Sequence, residues 1–146
     1  MRKINYIVVH CSATREGCTL TSEVLEAEHR RRGFRTTGYH YYIRRDGTVL
    51  GTRSLELPGA HCRGHNKYSI GICYEGGLDA RGNPKDTRTP EQRSALHQLV
   101  YQLLQQFRNA RVCGHRDLSP DLDGDGTVEP WEWVKQCPCF EVSKEF

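Results

Sequence analysis

The sequence has no long apolar run, and this absence excludes several classes of protein. The longest strongly apolar stretch near its beginning is Tyr6 to Val9, and no later stretch approaches the roughly 18 apolar residues of a membrane-spanning helix. An apolar segment of signal-peptide length is also missing, so we expect synthesis without a signal peptide. The 146 residues suit one compact domain, at roughly 150 residues per domain.

The cysteines lack the spacing of a disulfide framework. There are seven, no two of them form a Cys-x-x-Cys pair, and an odd number leaves at least one thiol unpaired in any disulfide scheme. We therefore predict free thiols in a reducing compartment, most of them buried as small apolar side chains.

Basic clusters are scarce as well. The net charge is +3, with 12 Lys and Arg against 6 Asp and Glu in residues 1–73, and 9 against 12 in residues 74–146. The one basic cluster, Arg30 to Arg32, falls at the end of a predicted helix, where cations face the negative end of the helix dipole. This pattern predicts no nucleic-acid partner.

What the sequence does contain is an alternation of strands and amphipathic helices. Periodicity and turn residues predict strands at 4–9, 39–45, 48–50, 68–74 and 110–113, the second and third joined as a hairpin by Asp46-Gly47. Helices are predicted at 22–32 and after Thr89-Pro90, where a cap and a first-turn proline stand in order. We predict an α/β fold, a single domain with a mixed central β-sheet flanked by α-helices.

Two histidines stand where a metal site is expected. His10 ends the first strand and His115 follows the last, so both project from one rim of the sheet. Cys137 is a candidate third ligand, and two neutral imidazoles with one thiolate suit Zn²⁺ while leaving a fourth position for water. From spacing alone the alternatives stay open, because most histidines are hydrogen-bonded structural residues and a cysteine is often a buried thiol.

Several short motifs occur in order along the chain. They are Ile7-Val8-Val9-His10-Cys11-Ser12-Ala13-Thr14, Gly38-Tyr39-His40-Tyr41, Arg45-Asp46-Gly47-Thr48, Ser69-Ile70-Gly71-Ile72-Cys73 with Gly76-Gly77, Gly114-His115-Arg116-Asp117, and Cys137-Pro138. Together they resemble the zinc-dependent N-acetylmuramoyl-L-alanine amidases, the type 2 amidase family that contains the T7-type phage lysozymes and the peptidoglycan recognition proteins. The resemblance runs from Ile4 to about Phe140 and implies one amidase domain over residues 1–146.

The resemblance implies a set of catalytic residues. His10, His115 and Cys137 would bind zinc, and the enzyme would cleave the amide between the lactyl group of N-acetylmuramic acid and L-alanine. Tyr39 matches the family tyrosine that positions or deprotonates the water, and Lys135 matches the lysine that stabilises the oxyanion. The alternative roles are a tyrosine packed in the sheet and a solvated lysine.

A loop before Ser69 is expected to form one wall of the substrate groove. In related amidases this wall contacts substrate, and His61 and Asn66 are our candidates for that role. His65 is expected to be exposed, and His40 to be structural.

An acidic segment separates His115 from Cys137. Residues 117–132 contain six carboxylates and no Lys or Arg. The resemblance implies that they form an insertion relative to the shorter phage lysozymes. Within them the spacing of an EF-hand loop predicts a Ca²⁺ site with Gly126 at the turn, and its ligands would be Asp121, Asp123, Asp125, Thr127, Glu129 and Glu132. The alternative is a solvated Asp/Gly turn, since Gly114 and Pro120 argue against an upstream EF-hand helix.

Taken together, these features predict a peptidoglycan hydrolase with Zn²⁺, and with Ca²⁺ as a second candidate ion. The competing function is a recognition module on the same fold that binds peptidoglycan or muramyl peptides without cutting them, and Cys137 is the residue expected to distinguish the two. We expect a monomer without membrane insertion. Synthesis in a bacterial or phage-infected cytoplasm would be followed by release or export to the cell wall.

Overall fold

A computed structural model describes residues 2–34, 36–133 and 135–146. The seven strands are β1 (Tyr6–Cys11), β2 (Thr14–Arg15), β3 (Tyr41–Ile43), β4 (Val49–Gly51), β5 (Ser69–Tyr74), β6 (Gly77–Leu78) and β7 (Arg111–Gly114). The two α-helices are α1 (Ser22–Arg31) and α2 (Pro90–Gln106). Single 3₁₀ turns lie at Asn66–Tyr68, His115–Leu118, Pro130–Glu132 and Val142–Lys144.

Five strands form the main sheet, in the order β4-β3-β5-β1-β7. The pairs β3-β5, β5-β1 and β1-β7 are parallel, and only the hairpin pair β3-β4 is antiparallel. A separate parallel pair joins β2 to β6. The predicted α/β fold with a mixed central sheet is therefore confirmed.

The interior strand β1 is buried on both faces, as its β-branched sequence predicts. Ile7 and Val9 pack in one core cluster with Leu96, Leu99 and Leu103 of α2. Leu25 of α1 packs in a second cluster, with Tyr42 and Cys73. His10 pairs in register with Cys73 on the neighbouring strand, near the end of β1.

Both helices begin where their capping residues predict. The Thr21 hydroxyl accepts a hydrogen bond from Val24 N at 3.2 Å, and the Thr89 hydroxyl accepts one from Gln92 N at 3.1 Å. The Gln92 side chain also accepts from Thr89 N at 3.0 Å, which completes a capping box. Neither helix of the described chain is long and apolar enough to cross a membrane.

Strand boundaries differ from the predictions by one or two residues. At the hairpin, β3 begins at Tyr41 instead of Tyr39. The Tyr39 carbonyl accepts hydrogen bonds from the hydroxyls of Thr37 and Thr52, at 2.9 and 2.8 Å. These side-chain donors take the place of a strand partner, so Tyr39 precedes the sheet and lies beside its rim.

The prediction of free and mostly buried thiols is confirmed. All seven cysteines are free, and four of them, Cys11, Cys62, Cys73 and Cys113, are buried. Cys18 is exposed, while Cys137 and Cys139 are half-buried.

Candidate functional site

The candidate active site lies at the carboxyl ends of β1 and β7. These strands run parallel with Val9 opposite Gly114, so the next residues, His10 and His115, lie side by side. The centroids of their imidazole rings are 4.6 Å apart. The register of two parallel strands thus joins residues that are more than a hundred positions apart in the sequence.

Cys137 reaches the same rim from the C-terminal segment. Its Sγ accepts a hydrogen bond from Cys11 N at 3.1 Å, and its carbonyl accepts one from Arg116 N at 2.9 Å. Gly114 permits this approach, because a Cβ atom at that position would lie 2.6 Å from Pro138 Cδ. One ligand atom each from His10, His115 and Cys137 lies within 4.8 Å of the others.

The electrostatics of this cluster suit a divalent metal. Burial lowers the pKa of His10 well below its usual range, and the charges of His61 and His115 lower it further. Burial and the neighbouring Lys135 ammonium lower the pKa of His115 to about 4. Both rings are therefore neutral near pH 7, and two neutral imidazoles with a thiol form a donor set that fits zinc.

Tyr39 and Lys135 line the cavity, of about 500 Å³, that contains these three residues. The ring centroid of Tyr39 is 5.1 Å from that of His10. Burial raises the pKa of Tyr39 well above its usual range, and the nearby thiols of Cys73 and Cys137 add to the effect. The tyrosine is thus a neutral phenol that can donate a hydrogen bond, whereas the exposed Lys135 supplies a positive charge.

A second cavity of about 620 Å³ adjoins the first along His115 and Lys135. Its other walls include Arg63, His65 and Asp117. The two cavities share His115 and Lys135 as lining residues and are together called the groove, an arrangement that suits an extended substrate.

His61 and Asn66 occupy the predicted loop, but their polar atoms have protein partners. His61 is 9% exposed, its Nδ1 lies 2.8 Å from His10 Nε2, and its Nε2 lies 3.1 Å from Ser69 Oγ. Asn66 Oδ1 accepts hydrogen bonds from the backbone N–H groups of His61 and Cys62, both at 2.9 Å. The expected substrate contacts of both residues stay predictions.

Sequence reasoning missed Ser69 and Gly59, which lie beside His61. The sequence placed Ser69 only in a strand motif. In the structure it is fully buried, and its hydroxyl contacts the imidazole of His61. The available signal was Gly71, since a glycine within a strand marks a close approach of another group, and His61 makes that approach. His40, expected to be structural, is buried and accepts a hydrogen bond from Gly71 N at 3.1 Å.

The acidic loop brings its carboxylates together apart from the zinc-type cluster. Oxygens of Asp121, Asp123, Asp125 and Glu132 lie within 4.8 Å of one another. Glu132 is 2% exposed and accepts hydrogen bonds from the backbone N–H groups of Leu122, Asp123 and Glu129. Glu129 Oε2 is buried without a hydrogen-bond partner.

Comparisons with known proteins find an amidase family model and a similar phage endolysin. A family model described as N-acetylmuramoyl-L-alanine amidase matches residues 1–138. The endolysin of Klebsiella phage KP32 is 35% identical over 143 residues, which is 98% of this chain and 85% of that endolysin.

Solved structures agree with the family match. The N-acetylmuramoyl-L-alanine amidase LysC from Clostridium intestinale URNW has a TM-score of 0.75 and 26% identity, over 99% of this chain and 82% of that one. A complex of the peptidoglycan recognition proteins LCa and LCx with tracheal cytotoxin has a TM-score of 0.72 and 25% identity, over 99% of this chain and 81% of that one.

Proposed function

The chain belongs to the N-acetylmuramoyl-L-alanine amidase family and is a peptidoglycan hydrolase, and from this premise we propose that it is zinc-dependent. The bond cleaved would be the amide between the lactyl group of N-acetylmuramic acid and L-alanine. The observation that carries the proposal is the convergence of His10, His115 and Cys137 beside Tyr39 and Lys135 in one cavity.

The three proposed metal ligands form a donor set that suits zinc. His10 and His115 would each present a neutral ring nitrogen, and Cys137 would present its sulfur. Zinc in such a site supplies a Lewis acid that polarises a carbonyl and lowers the pKa of water. Three protein ligands leave room for that water and the substrate.

Tyr39 and Lys135 would handle the charges of the reaction. The phenol of Tyr39 would orient the attacking water through a hydrogen bond, since its raised pKa keeps the proton on the oxygen. The Lys135 ammonium would stabilise the negative charge that develops on the amide oxygen. The groove along Arg63 and His65 would hold the stem peptide.

Mass spectrometry of digested peptidoglycan tests this function. The protein would be incubated with purified peptidoglycan as isolated, after zinc removal, and after zinc is restored. We expect zinc-dependent release of intact stem peptides that begin at L-alanine, with the glycan chain uncut. Binding of the fragments without cleavage, with zinc restored, would contradict the proposal and favour a recognition module.

Membership of the amidase family also suggests what the protein binds and where it acts. We propose that the protein acts as a monomer on peptidoglycan or muramyl peptides, without nucleic acid. The structurally similar recognition complex contains tracheal cytotoxin, which is in keeping with this. The protein would be made in a bacterial or phage-infected cytoplasm and reach the cell wall after release or export, and its similarity to an endolysin supports this.

We propose further that residues 117–132 form a calcium-binding insertion in this one domain. The support is the EF-hand spacing, the convergence of four carboxylates and the buried Glu129 oxygen that lacks a partner. Thr127 would contribute its carbonyl. Calcium would then order the segment that leads to Lys135 and Cys137 and act as a structural clip for the zinc site.

A further inference from the structure

A chain of buried hydrogen bonds extends from the zinc-type cluster into the protein. It runs from His10 Nε2 to His61 Nδ1, 2.8 Å apart, and from His61 Nε2 to Ser69 Oγ, 3.1 Å apart. His10 is 1% exposed and Ser69 is fully buried. With Nε2 of His10 engaged in this way, its Nδ1 is the nitrogen left for a metal.

The protein is shaped to hold His61 in this position. A Cβ atom on Gly59 would lie 2.4 Å from His61 Cδ2, and one on Gly71 would lie 2.6 Å from the same atom. Any larger residue at either position would displace the imidazole. Asn66 fixes the backbone of the same residue through its side-chain oxygen, at 2.9 Å.

The hydrogen-bond chain has one arrangement that is compatible with a metal on His10. A metal on Nδ1 requires the proton of the neutral ring to lie on Nε2, from which it is donated to His61 Nδ1. His61 then carries its own proton on Nε2 and donates it to Ser69 Oγ. The reverse arrangement would place a proton on His10 Nδ1 and block that nitrogen.

We propose that His61 is a positioning residue, which accepts the Nε2 proton of His10 and thereby fixes both the tautomer and the orientation of that ring for the metal. The inference rests on the proposed zinc site. It differs from the substrate contact expected for His61, because it assigns both ring nitrogens to the protein. Partners of this kind commonly contribute about 10-fold to 100-fold in metal affinity.

Two substitutions at this position separate the hydrogen bond from the packing. His61→Phe keeps a planar ring but removes the acceptor, while His61→Asn keeps an acceptor near the place of Nδ1. We expect His61→Phe to weaken zinc binding about 10-fold to 100-fold in competition with a chelator. His61→Asn should retain most of the affinity, and the exposed His97 provides a matched control as His97→Phe.

Kinetics distinguish the proposal from a substrate contact. If His61 positions the metal ligand, excess zinc should restore much of the activity of His61→Phe, with little change in KM. A raised KM with unchanged zinc affinity would overturn the proposal and assign His61 to the substrate.

Nitrogen NMR of the unaltered zinc-loaded protein provides a readout that does not depend on folding of a variant. We expect a proton on Nε2 of both His10 and His61, and a proton on His61 Nδ1 would overturn the proposal. Failure of the proposed function is distinguishable, because the unaltered protein would then not cleave peptidoglycan even with zinc restored. If this inference alone fails, the unaltered protein still binds zinc and cleaves peptidoglycan, and His61→Phe keeps the zinc affinity of the unaltered protein.

Discussion

Two buried carboxylates show how differently two regions of this molecule are built. Glu75, at the sheet rim, is 1% exposed and accepts hydrogen bonds from Leu20 N, Arg44 Nε and Arg45 N, at 2.8, 2.9 and 3.0 Å. Glu132, in the acidic loop, is 2% exposed, yet all three of its backbone donors lie within ten residues of it. The rim is a product of tertiary structure, and the loop is a product of local sequence.

The two metal-type clusters repeat this contrast. His10, His115 and Cys137 come from three separate parts of the chain, and strand register and close packing at Gly114 bring them together. The carboxylates of Asp121, Asp123, Asp125 and Glu132 come from one twelve-residue segment. A cluster of the first kind depends on the whole fold, whereas one of the second kind depends on its own turns. Substitutions in the two regions should therefore differ in the size of their effects on activity and stability and in how far those effects extend.

The largest effect is expected from Cys137→Ser, which removes the candidate thiolate ligand from the rim. Amidase activity should fall by at least about 1,000-fold, because metal catalysis supplies several kcal/mol and each 1.36 kcal/mol is tenfold in rate. Stem-peptide release and bound zinc would be measured together. The exposed Cys18, changed to serine, should leave both unchanged. Full activity in Cys137→Ser would remove this residue from the reaction.

Tyr39→Phe tests whether the phenol acts on the reaction without holding the metal. We expect a loss of about 100-fold in kcat, within the range of a hydrogen-bonding or proton-transferring group, at unchanged zinc affinity. The exposed Tyr101, changed to phenylalanine, is the matched control. If Tyr39→Phe instead loses zinc, Tyr39 has a structural role in the metal site and does not act separately on the reaction.

Glu75→Gln should destabilise the rim by about 2–4 kcal/mol, because it removes a charge-assisted partner from a buried site. Burial opposes ionisation of Glu75, but hydrogen bonds from Arg44 and the backbone outweigh it and hold its pKa below the usual range. A depressed pKa stabilises the folded state above the unfolded value of about 4.3, and this contribution is lost as pH falls through the folded pKa.

Urea unfolding of Glu75→Gln and of the unaltered protein, at pH 7 and at acid pH, measures the difference between their free energies of unfolding. The gap between Glu75→Gln and the unaltered protein should narrow toward acid pH. Glu26→Gln, which breaks only an exposed i,i+4 pair with Arg30, should cost no more than about 0.5 kcal/mol. An equal loss of unfolding free energy in Glu75→Gln and Glu26→Gln would contradict the stabilising role assigned to Glu75 at the rim.

The smallest effect is expected from calcium at the acidic loop. Saturating calcium should raise the melting temperature of the chelated protein by about 5 °C, as binding to the folded state alone predicts. Glu132→Gln should abolish the shift, and magnesium serves as the control ion. An unchanged melting temperature with calcium would refute the calcium site, and an unchanged zinc affinity would refute its role as a clip.

Much of the fold could be predicted from the sequence, because its signals are local. Apolar periodicity located both helices and the five strands of the main sheet, and Thr21 and Thr89 marked the helix starts. The short parallel pair β2-β6 carried no such signal, because two residues are too few to show a period. The predicted start of the hairpin strand at Tyr39 was wrong, because the hydroxyls of Thr37 and Thr52 donate to the Tyr39 carbonyl in place of a neighbouring strand.

The candidate metal ligands, Tyr39 and Lys135 could be proposed from the sequence, but the partners that hold them could not. Sequence by itself determined the strand-end positions of His10 and His115, the EF-hand spacing of the acidic loop and the ordered motifs that resemble the amidases. Only the tertiary structure decided that His61 bonds to His10 and Ser69, that Asn66 fixes its loop and that Glu75 joins three segments. Periodicity and spacing depend on neighbours along the chain, whereas a hydrogen bond between distant segments depends on strand order and register, which become defined only when the sheet has formed.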